Sequence, residues 1–472
     1  MNVRLSKSGL KDKMIFTIRE IIDATNGRLV QGPALGKVRS VGIDSRIVKK
    51  GELFIAVKGD VFDGHDFIDG VTAKGVRVLL VHRPVEIKNP KVTVIQVKDT
   101  IRALGDLARF NRQRFKIPVI ALTGSAGKTT TKEMIAVVLS RKFKVLKNEG
   151  TQNNHIGVPL TLLKLNSAHQ MVVLECGTNQ PGDIVWLADV ARPTIAVFTN
   201  IGESHLEKLK TIQGVLKEKL TLTSFLKAKD TVILNADDAL LSKLLKRKNI
   251  FKTMTYGIKA KANFLASGIN IHSGRQLNFK LKDEVFELNS CGVNNVYNAL
   301  AAISCGIFFK VPIKEITAAL KSFEFPQGRG QILQLGQGWM INDSYNANPV
   351  SMRSALQTLG AIEARTQRIL VVADMLELGA KSKVLHQSMG KTIGAAGVDI
   401  LISVGSLARL MAKCARKRNK KMQVFACRDV GSAQKCLAKV FQNGDAVLIK
   451  GSRRMRMEQV SEFLLASPKG AG

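Results

Sequence analysis

The sequence predicts a mixed α/β fold with three domains: a small N-terminal α/β domain, a central domain with a mainly parallel sheet, and a C-terminal doubly wound α/β domain. A length of 472 residues corresponds to about three domains of ordinary size. Short apolar runs alternate with helical patterns along most of the chain, which is typical of parallel sheets covered by helices. Residues 325–330, Phe-Pro-Gln-Gly-Arg-Gly, have the composition of a linker.

We place the domains at residues 1–115, 116–325 and 326–472. Residues 1–13 are polar and basic, and we interpret them as an extension before a candidate native start at Met14. Apolar runs of strand length predict strands at 53–57, 77–81, 92–97, 171–175, 194–200, 231–235, 339–341, 369–372, 400–404, 424–426 and 446–449. A helix is expected from about Thr100.

The composition limits the class of protein. The net charge is +35, but Lys and Arg are spread along the chain, and the longest cluster, 416–421, falls in an expected loop. Aromatic residues make up only 5%, few for stacking on bases, so a solvated basic surface is favoured over a nucleic-acid partner. Six scattered cysteines without a Cys-x-x-Cys pair argue against a disulfide framework or a zinc site, and favour a reducing cytoplasm. The sequence shows neither an apolar run of membrane-spanning length nor a signal core, so no membrane insertion is expected.

The central domain begins with a candidate phosphate-binding turn. An apolar strand, 117–122, leads into Thr-Gly-Ser-Ala-Gly-Lys-Thr-Thr, and a helical pattern follows from Thr129 to about Ser140. Backbone N–H groups in such a turn and the helix N-terminus attract an anion, Lys128 can reach the outer phosphates, and Thr129 can hold Mg²⁺. Leu122 stands where most P-loops have their first Gly, so this turn is shorter than usual. A nucleoside triphosphate is the expected ligand, and a plain Gly-rich surface turn is the alternative.

Three polar groups follow strands of the same predicted sheet, where ligands of parallel sheets gather. Glu175 ends an apolar strand and is the expected Mg²⁺ ligand opposite Thr129. His205 follows the strand that ends at Asn200, and Lys219 lies in the next helix. Each has a structural alternative: Glu175 could cap the next turn, His205 could be a surface histidine, and Lys219 could belong to a charged helix face.

Other polar stretches are candidates for binding a substrate. They are 44–46 and 59–67, which could equally be satisfied turns, the amide-rich loop 148–159, and the strand-end loops 342–349, 374–379 and 450–456. Asn295 and Asn298 lie one helical turn apart and could bind a purine edge, although Asn295 could simply cap the helix.

From about Met14 to Leu465, the sequence resembles the Mur ligase family of bacterial peptidoglycan synthesis. The short turn looks like the form that this family uses. The stretches Asp-Ser-Tyr-Asn-Ala-Asn-Pro (343–349) and Asp-Met-Leu-Glu-Leu-Gly (374–379) resemble the member that adds D-alanyl-D-alanine. Asn294, Asn342 and Ala373 depart from the family's usual residues.

The resemblance implies an ATP-dependent amide ligase that joins D-alanyl-D-alanine to UDP-N-acetylmuramoyl-tripeptide through an acyl phosphate, with ATP and Mg²⁺ as cofactors. It implies catalytic roles for Lys128, Glu175, His205 and Lys219, and a metal site formed by Thr129, Glu175, His205 and a carbamylated Lys219. The residues implied in ATP binding are Gly124, Ser125, Ala126, Gly127, Lys128, Thr129, Thr130, Asn295, Asn298, Arg329 and Asp343. Those implied in substrate binding are Asp44, Ser45, Arg46, Asp63, Gly64, His65, Phe67, Thr151, Gln152, Asn153, Asn154, Tyr345, Asn346 and Asn348.

Two other functions stay open at this point. A related ligase, adding the third peptide residue or glutamates to folate, would share the phosphate-binding turn and differ in 345–349. A basic NTPase acting on nucleic acid would instead account for the charge. A cytoplasmic monomer is expected, and the third residue of the acceptor peptide is left undetermined.

Overall fold

The computed structural model describes residues 16–246, 250–272 and 275–467, so the extension before Met14 lies outside the described residues. The chain divides into two compact units. Unit 1 comprises Met1–Ala121, Phe143–Cys176 and Trp186–Thr194, and unit 2 comprises Leu122–Lys142, Gly177–Val185 and Ile195–Gly472.

The first part of unit 1 is a small α/β region. Its elements are β1 (Phe16–Thr17), α1 (Ile18–Thr25), β2 (Arg28–Gln31), β3 (Lys37–Val38), β4 (Val41–Gly42), β5 (Leu53–Ile55), α2 (Ile68–Ala73), β6 (Val78–Val81), β7 (Thr93–Gln96) and α3 (Thr100–Gln113). Five strands form a sheet in the order β2-β7-β6-β5-β4, in which only β2 runs antiparallel to its neighbour. The strands predicted at 53–57, 77–81 and 92–97 and the helix from Thr100 are confirmed, because fully buried apolar runs leave little choice of structure.

The middle of the chain contributes to both units. Its elements are β8 (Val119–Thr123), α4 (Lys128–Ser140), β9 (Val145–Lys147), α5 (Gly157–Leu162), β10 (Met171–Glu175), α6 (Asp183–Ala191), β11 (Ile195–Phe198), α7 (Leu206–Leu209), α8 (Ile212–Leu220), β12 (Thr231–Asn235), β13 (Lys252–Gly257), β14 (Phe264–His272), β15 (Gln276–Leu281), β16 (Glu284–Leu288), α9 (Asn294–Phe308) and α10 (Ile313–Lys321).

Parallel pairing dominates this region, as predicted. In unit 1, β9 and β10 are parallel. In unit 2, β11, β12, β13 and the start of β14 are parallel neighbours, and β14, β15 and β16 then form an antiparallel meander. The meander was not predicted, since β14 alternates exposed and half-buried residues instead of forming an apolar run.

The last region is the predicted doubly wound α/β fold and belongs to unit 2. Its elements are β17 (Gln331–Leu335), β18 (Gly338–Asp343), α11 (Pro349–Ala361), β19 (Arg368–Ala373), α12 (Ser382–Gly394), β20 (Ile400–Val404), α13 (Ser406–Arg418), β21 (Gln423–Cys427), α14 (Val430–Val440), β22 (Ala446–Lys450) and α15 (Glu458–Ala466). The sheet order is β17-β18-β22-β19-β20-β21, and only the β17–β18 pairing is antiparallel.

Two details differ from the sequence-based expectation. The basic cluster 416–421 is not all loop, because α13 continues to Arg418. Asn342, Asp343 and Lys450 lie at the ends of their strands rather than in the loops that follow. All six cysteines, which lie within the described residues, are free thiols.

Candidate active site

The candidate phosphate-binding turn lies between the buried strand β8 and helix α4, as the sequence predicts. Gly127 begins the helix with a φ of 78°, a left-handed conformation that favours glycine. A Cβ at Gly127 would lie 2.6 Å from Oδ1 of Asn298, and a Cβ at Gly124 would collide with the side chain of Thr199. Close packing therefore requires glycine at both positions, and backbone conformation requires it at Gly127 as well.

Asn200, which follows β11, fixes the middle of the turn. Its Oδ1 accepts from the Ala126 amide at 2.9 Å, its Nδ2 donates to the Ala126 carbonyl at 3.1 Å, and its own carbonyl accepts from the Ser125 amide at 2.9 Å. Thr199 Oγ1 adds a bond to the same Ala126 carbonyl at 2.7 Å. Two of the amides expected to face phosphate, those of Ser125 and Ala126, are therefore engaged within the protein. The anion-binding groups are then to be sought from Gly127 onward, at the start of α4.

Asn298 and Asn295 form a relay behind the turn. Thr131 on α4 donates to Asn298 Oδ1 at 3.0 Å, Asn298 Nδ2 donates to Asn295 Oδ1 at 2.9 Å, and Asn295 Nδ2 donates to Ser290 Oγ at 2.8 Å. Asn298 is buried. In this structure both amides hold α9 against α4, so contact with a purine remains a prediction.

Lys128 folds back over the turn, and its Nζ donates to the carbonyl of Gly124 at 3.0 Å. The charges of Lys128 and Lys219 both act on His205. Burial lowers the pKa of His205, and the two ammonium groups lower it further. The structure therefore brings three predicted catalytic residues close enough to interact.

Lys219 is not part of a solvated helix face. It is 1% exposed, whereas Lys217 on the same helix is exposed. Its neighbour Glu218 is also buried and accepts from the amides of Gly182 and Ile184 at the start of α6, at 2.9 and 2.8 Å. A buried lysine is costly and is often functional.

His205 faces a carboxylate that the sequence analysis did not assign. Nδ1 of His205 lies 2.8 Å from Oε2 of Glu377, although the approach is out of line for a hydrogen bond. The contact with His205 lowers the pKa of Glu377, and the charges of Arg454 and Lys128 act in the same direction. Glu377 belongs to the stretch 374–379, which the sequence singled out without giving it a role.

The predicted nucleotide residue Asp343 is held by a buried lysine. Lys450, 1% exposed, contacts Oδ2 of Asp343 at 2.5 Å and donates to the carbonyl of Asn346 at 2.9 Å. The guanidinium of Arg329 lies 3.7 Å from the ring centre of Tyr345, and that of Arg453 lies 5.3 Å away. This end of the site is therefore strongly basic.

Asn348 connects the same loop to the turn. Its Oδ1 accepts from the Ser351 amide at 2.9 Å and so caps α11, while its Nδ2 donates to the carbonyl of Ser125 at 3.1 Å. Asn346 Oδ1 accepts from the Ala347 amide. Asn348 thus has a structural role here, which differs from the substrate contact expected for it.

Glu175 in unit 1 is 1% exposed at the end of β10. Asn153 Nδ2 donates to its Oε1 at 2.7 Å. Asn148 holds its backbone, accepting from the Glu175 amide at 2.9 Å and donating to the Glu175 carbonyl at 3.1 Å. Asn153 thus orients the buried carboxylate and Asn148 fixes the backbone that carries it, as is usual for a cation ligand.

The remaining residues of the 151–154 loop are placed mainly by local bonds. The Asn153 amide donates to the carbonyl of Thr151, and the Gln152 carbonyl accepts from Asn148. Asn154 Oδ1 accepts from the amides of Ile156 and Gly157 at 3.1 and 2.9 Å, which caps α5.

The loop 44–46 is self-paired. Arg46 forms a two-pronged contact with the Asp44 carboxylate, at 2.9 and 2.7 Å, and this hydrogen bonding lowers the pKa of Asp44 to about 2. Lys74 donates to the carbonyls of Ser45 and Arg46. The loop is therefore a turn whose polar groups are already hydrogen-bonded, which was the alternative to a substrate-binding loop.

His65 is buried with both ring nitrogens engaged. Nδ1 lies 2.6 Å from Asp63 Oδ1, and Nε2 accepts from the His82 amide at 3.1 Å. Burial lowers the pKa of His65. Gly64 packs closely against Val57, while Phe67 is partly exposed beside Phe62, so the aromatic side chains, rather than His65, are open to a ligand.

Sequence reasoning missed Asn148, Asn200, Glu377 and Lys450. All four end or follow a strand or belong to a highlighted stretch, so their position was the available signal. The residues that they contact could not be inferred from sequence spacing. No helix among the described residues combines the length and apolar character needed to cross a membrane.

Three family models and several curated proteins match this chain. Models described as the Mur ligase middle domain, the Mur ligase glutamate ligase domain and the Mur ligase family catalytic domain match residues 122–306, 328–453 and 37–112. The UDP-N-acetylmuramoyl-tripeptide--D-alanyl-D-alanine ligase of Bacillus subtilis (strain 168) is 33% identical over 96% of this chain and 99% of that protein. The Escherichia coli (strain K12) protein of the same name is 35% identical over 95% and 98%.

Solved structures give the same result. Crystal structure I of MurF from Acinetobacter baumannii superposes with a TM-score of 0.87 at 30% identity, covering 96% of this chain and 99% of that one. MurF ligase from Thermotoga maritima in complex with ADP superposes with a TM-score of 0.81 at 27% identity, covering 90% and 97%. The chain therefore belongs to the Mur ligase family.

Proposed function

We propose that this chain is an ATP-dependent ligase that joins D-alanyl-D-alanine to UDP-N-acetylmuramoyl-tripeptide, acting in the cytoplasm. The observation that carries the proposal is the convergence of Lys128, His205 and Lys219 beside a glycine turn in unit 2. The near full-length relatives that are named for this reaction supply the substrate. ATP as the nucleotide is supported by the ADP held in the Thermotoga maritima relative.

The chain's residues suit phosphoryl transfer to a carboxylate. Attack of the tripeptide carboxylate on the γ-phosphate brings two anions together, and Lys128 at the start of α4 offsets that repulsion. The acyl phosphate is then attacked by the amine of D-alanyl-D-alanine, and phosphate leaves. Water would hydrolyse the acyl phosphate, so we expect the segment 326–330 to act as a hinge for closure before chemistry.

Mg²⁺ is the cation that the resemblance implies for this ligase. Thr129, Glu175, His205 and Lys219 as a carbamate would hold it, and it would screen the phosphate charge. Among the described residues, no group of three or more His, Cys, Asp or Glu side chains could hold a metal ion; the proposed set differs from such a group because it includes the carbamate of Lys219. Carbamylation would also replace one of the cations near His205 by an anion, which relieves the repulsion that lowers the pKa of His205.

The substrate contacts follow from the family resemblance. Arg329, Asp343, Asn295 and Asn298 would contact the nucleotide, the loops 44–46 and 63–67 the UDP end, residues 151–154 the sugar and peptide, and residues 345–348 the dipeptide. Arg46 is paired with Asp44, and His65 is buried. Each would therefore contact the ligand only if its loop rearranged, and would otherwise act by fixing the shape of its loop.

The test measures phosphate release and product mass on mixing ATP, D-alanyl-D-alanine and UDP-N-acetylmuramoyl-tripeptide whose third residue is lysine or diaminopimelate. We expect a pentapeptide product with at least one acceptor and none with UDP-N-acetylmuramoyl-dipeptide. Ligation of a single amino acid to the dipeptide would favour the third-residue-adding ligase. ATP hydrolysis stimulated by DNA or RNA, without ligation, would favour the nucleic-acid NTPase.

A further inference from the structure

The loop after β19, residues 374–379, is built to present one carboxylate. Three successive residues are pinned by distant groups. Asp374 Oδ1 accepts from the Ala408 amide at 2.6 Å, the Met375 amide donates to His386 Nε2 at 3.0 Å, and the Leu376 amide donates to Ser452 Oγ at 2.8 Å. The loop is thus fixed as a unit from α13, α12 and the end of β22.

The next residue, Glu377, turns toward the segment that carries His205. Its backbone has a φ of 65°, which is uncommon for a residue with a side chain, and its carbonyl accepts from the Glu207 amide at 3.0 Å. Its carboxylate reaches His205 Nδ1 at 2.8 Å. A Cβ at Gly379 would come within 2.9 Å of the Glu207 Cα, so the two segments pack closely.

His205 is also in a left-handed conformation, with a φ of 52°. Backbone strain of this kind costs about 1 kcal/mol or more and persists where the surroundings hold it in place. Two strained residues that face each other through a carboxylate and an imidazole therefore indicate a contact that the fold maintains.

The chemistry of the pair suggests its purpose. A carboxylate beside one ring nitrogen of a histidine holds the proton on that nitrogen and leaves the lone pair on the other, which is the usual arrangement behind a cation-binding histidine. Lys128 and Lys219 act on the same ring, so Glu377 is also the anion that offsets a local excess of positive charge.

We propose that Glu377 is a positioning residue of the ligase: its negative charge, 2.8 Å from Nδ1 although out of line for a hydrogen bond, favours the proton of His205 on that nitrogen, so that Nε2 is the nitrogen offered to the cation and the phosphates. The inference rests on the proposed function only for the identity of the cation and nucleotide.

The first experiment compares Glu377→Gln with a matched control, Glu207→Gln. Glu207 is exposed, lies beside the same contact and has no side-chain role in the site. Mn²⁺ binding is measured by electron paramagnetic resonance in the presence of a non-hydrolysable ATP analogue, together with kcat, KM for ATP and the melting temperature. For Glu377→Gln we expect Mn²⁺ affinity and kcat to fall about 10- to 100-fold, with little change in melting temperature. The control should match the wild type.

A double variant separates positioning from general stability. If Glu377 acts through His205, His205→Ala/Glu377→Gln will bind Mn²⁺ as weakly as His205→Ala alone, whereas an independent structural role predicts additive losses. Additive losses, or a Glu377→Gln protein with wild-type Mn²⁺ affinity and kcat, would overturn the proposal.

A measurement on the wild-type protein tests the proposal even if the Glu377→Gln variant does not fold. ¹⁵N NMR of labelled histidine, assigned by the signal missing from His205→Gln, should show His205 protonated on Nδ1 and not on Nε2. The opposite tautomer would overturn the proposal. If ligation of D-alanyl-D-alanine fails while Mn²⁺ and nucleotide binding still depend on Glu377, the proposed function is wrong and this inference stands.

Discussion

Two sets of polar loops in this protein satisfy their hydrogen bonds in different ways. In the loops at 44–46 and 63–65 of unit 1 the charged side chains pair within the loop, Arg46 with Asp44 and His65 with Asp63, although Lys74 and the His82 amide add bonds from outside. The loops of the candidate site in unit 2 are held by distant residues, as Asn348 bonds to Ser125 and Glu377 contacts His205. Local pairing needs only a favourable turn, whereas distant pairing exists only when the whole unit has folded. The second kind is what pre-organised catalytic groups require.

The largest effect should come from Lys128→Ala. Loss of the cation that we propose to face the phosphates is expected to lower kcat about 100- to 1000-fold, with a much smaller effect on the melting temperature, since Nζ donates to the Gly124 carbonyl within the same turn. Exposed Lys217→Ala is the control. Steady-state kinetics of the ligation check this, and near wild-type kcat for Lys128→Ala would contradict the assignment of the turn.

Gly127→Ala should be the next most damaging change. The substitution adds both the strain of a positive φ and a collision with Asn298 Oδ1 at 2.6 Å. Gly397 also has a positive φ, 69°, but open space around its Cβ, so Gly397→Ala isolates the strain, about 1–2 kcal/mol. Binding of ADP, measured calorimetrically, should weaken only for Gly127→Ala. Equal effects of the two variants would show that Asn298 does not restrict the turn.

Acid should loosen the anchored loop through His386. Burial lowers the pKa of His386, whose Nε2 must stay unprotonated to accept from Met375. The unfolded chain therefore binds the proton more readily. The stability contributed by the neutral ring is fully present above about pH 6.5 and is lost as the pH falls through the lowered value, by at most about 1.4 kcal/mol per pH unit.

His386→Gln keeps an acceptor that does not titrate. Urea unfolding between pH 7.5 and 5 should therefore show a shallower loss of the free energy of unfolding for His386→Gln than for the wild type. His272→Gln, at an exposed position, should follow the wild type. Parallel curves for His386→Gln and the wild type would contradict the neutral, accepting state of His386.

The smallest effect is expected from Asp44→Asn. Its contact with Arg46 is exposed, and exposed ion pairs contribute little to stability. The melting temperature should not change within error. The pKa of Asp44 is lowered from 3.8 to about 2, so any stability from this pair is fully present well above pH 3.8 and is lost only as the pH falls toward 2, and no pH dependence from it is expected between pH 6 and 9. A rise in KM for the UDP-linked substrate alone would show that the loop contacts that substrate. A clear decrease in the melting temperature would show that the Asp44–Arg46 pair stabilises the fold, which would contradict the contrast between the two sets of loops.

The parts of the fold that follow from the sequence are those decided by local burial. β10, β12 and β20 have the predicted bounds because each is a fully buried apolar run. The strand, glycine turn and helix at 119–140 were likewise predictable, since strand, glycines, lysine and helix are contiguous. The meander of β14 to β16 was not, because its exposed faces lack a distinct pattern.

The arrangement of the site depended on contacts that sequence spacing does not encode. Glu377 and His205 are brought together by the packing of α7 against the loop 374–379, and nothing near either residue indicates the other. Asn298 was expected to face a nucleotide because of its helical spacing with Asn295. That spacing is equally compatible with the relay behind Gly127 that the structure shows.

The side chain of Asn348 performs two tasks with one rigid group, since its oxygen caps α11 and its nitrogen holds Ser125. Aspartate caps helices as well as asparagine does but has no hydrogen to donate. A protein with Asp at 348 would keep its helix and release the turn. If the turn shifts during catalysis, either the first residues of α11 move with it or the hydrogen bond from Asn348 to Ser125 breaks. The side-chain amide of Asn348 therefore couples the position of the turn to that of α11.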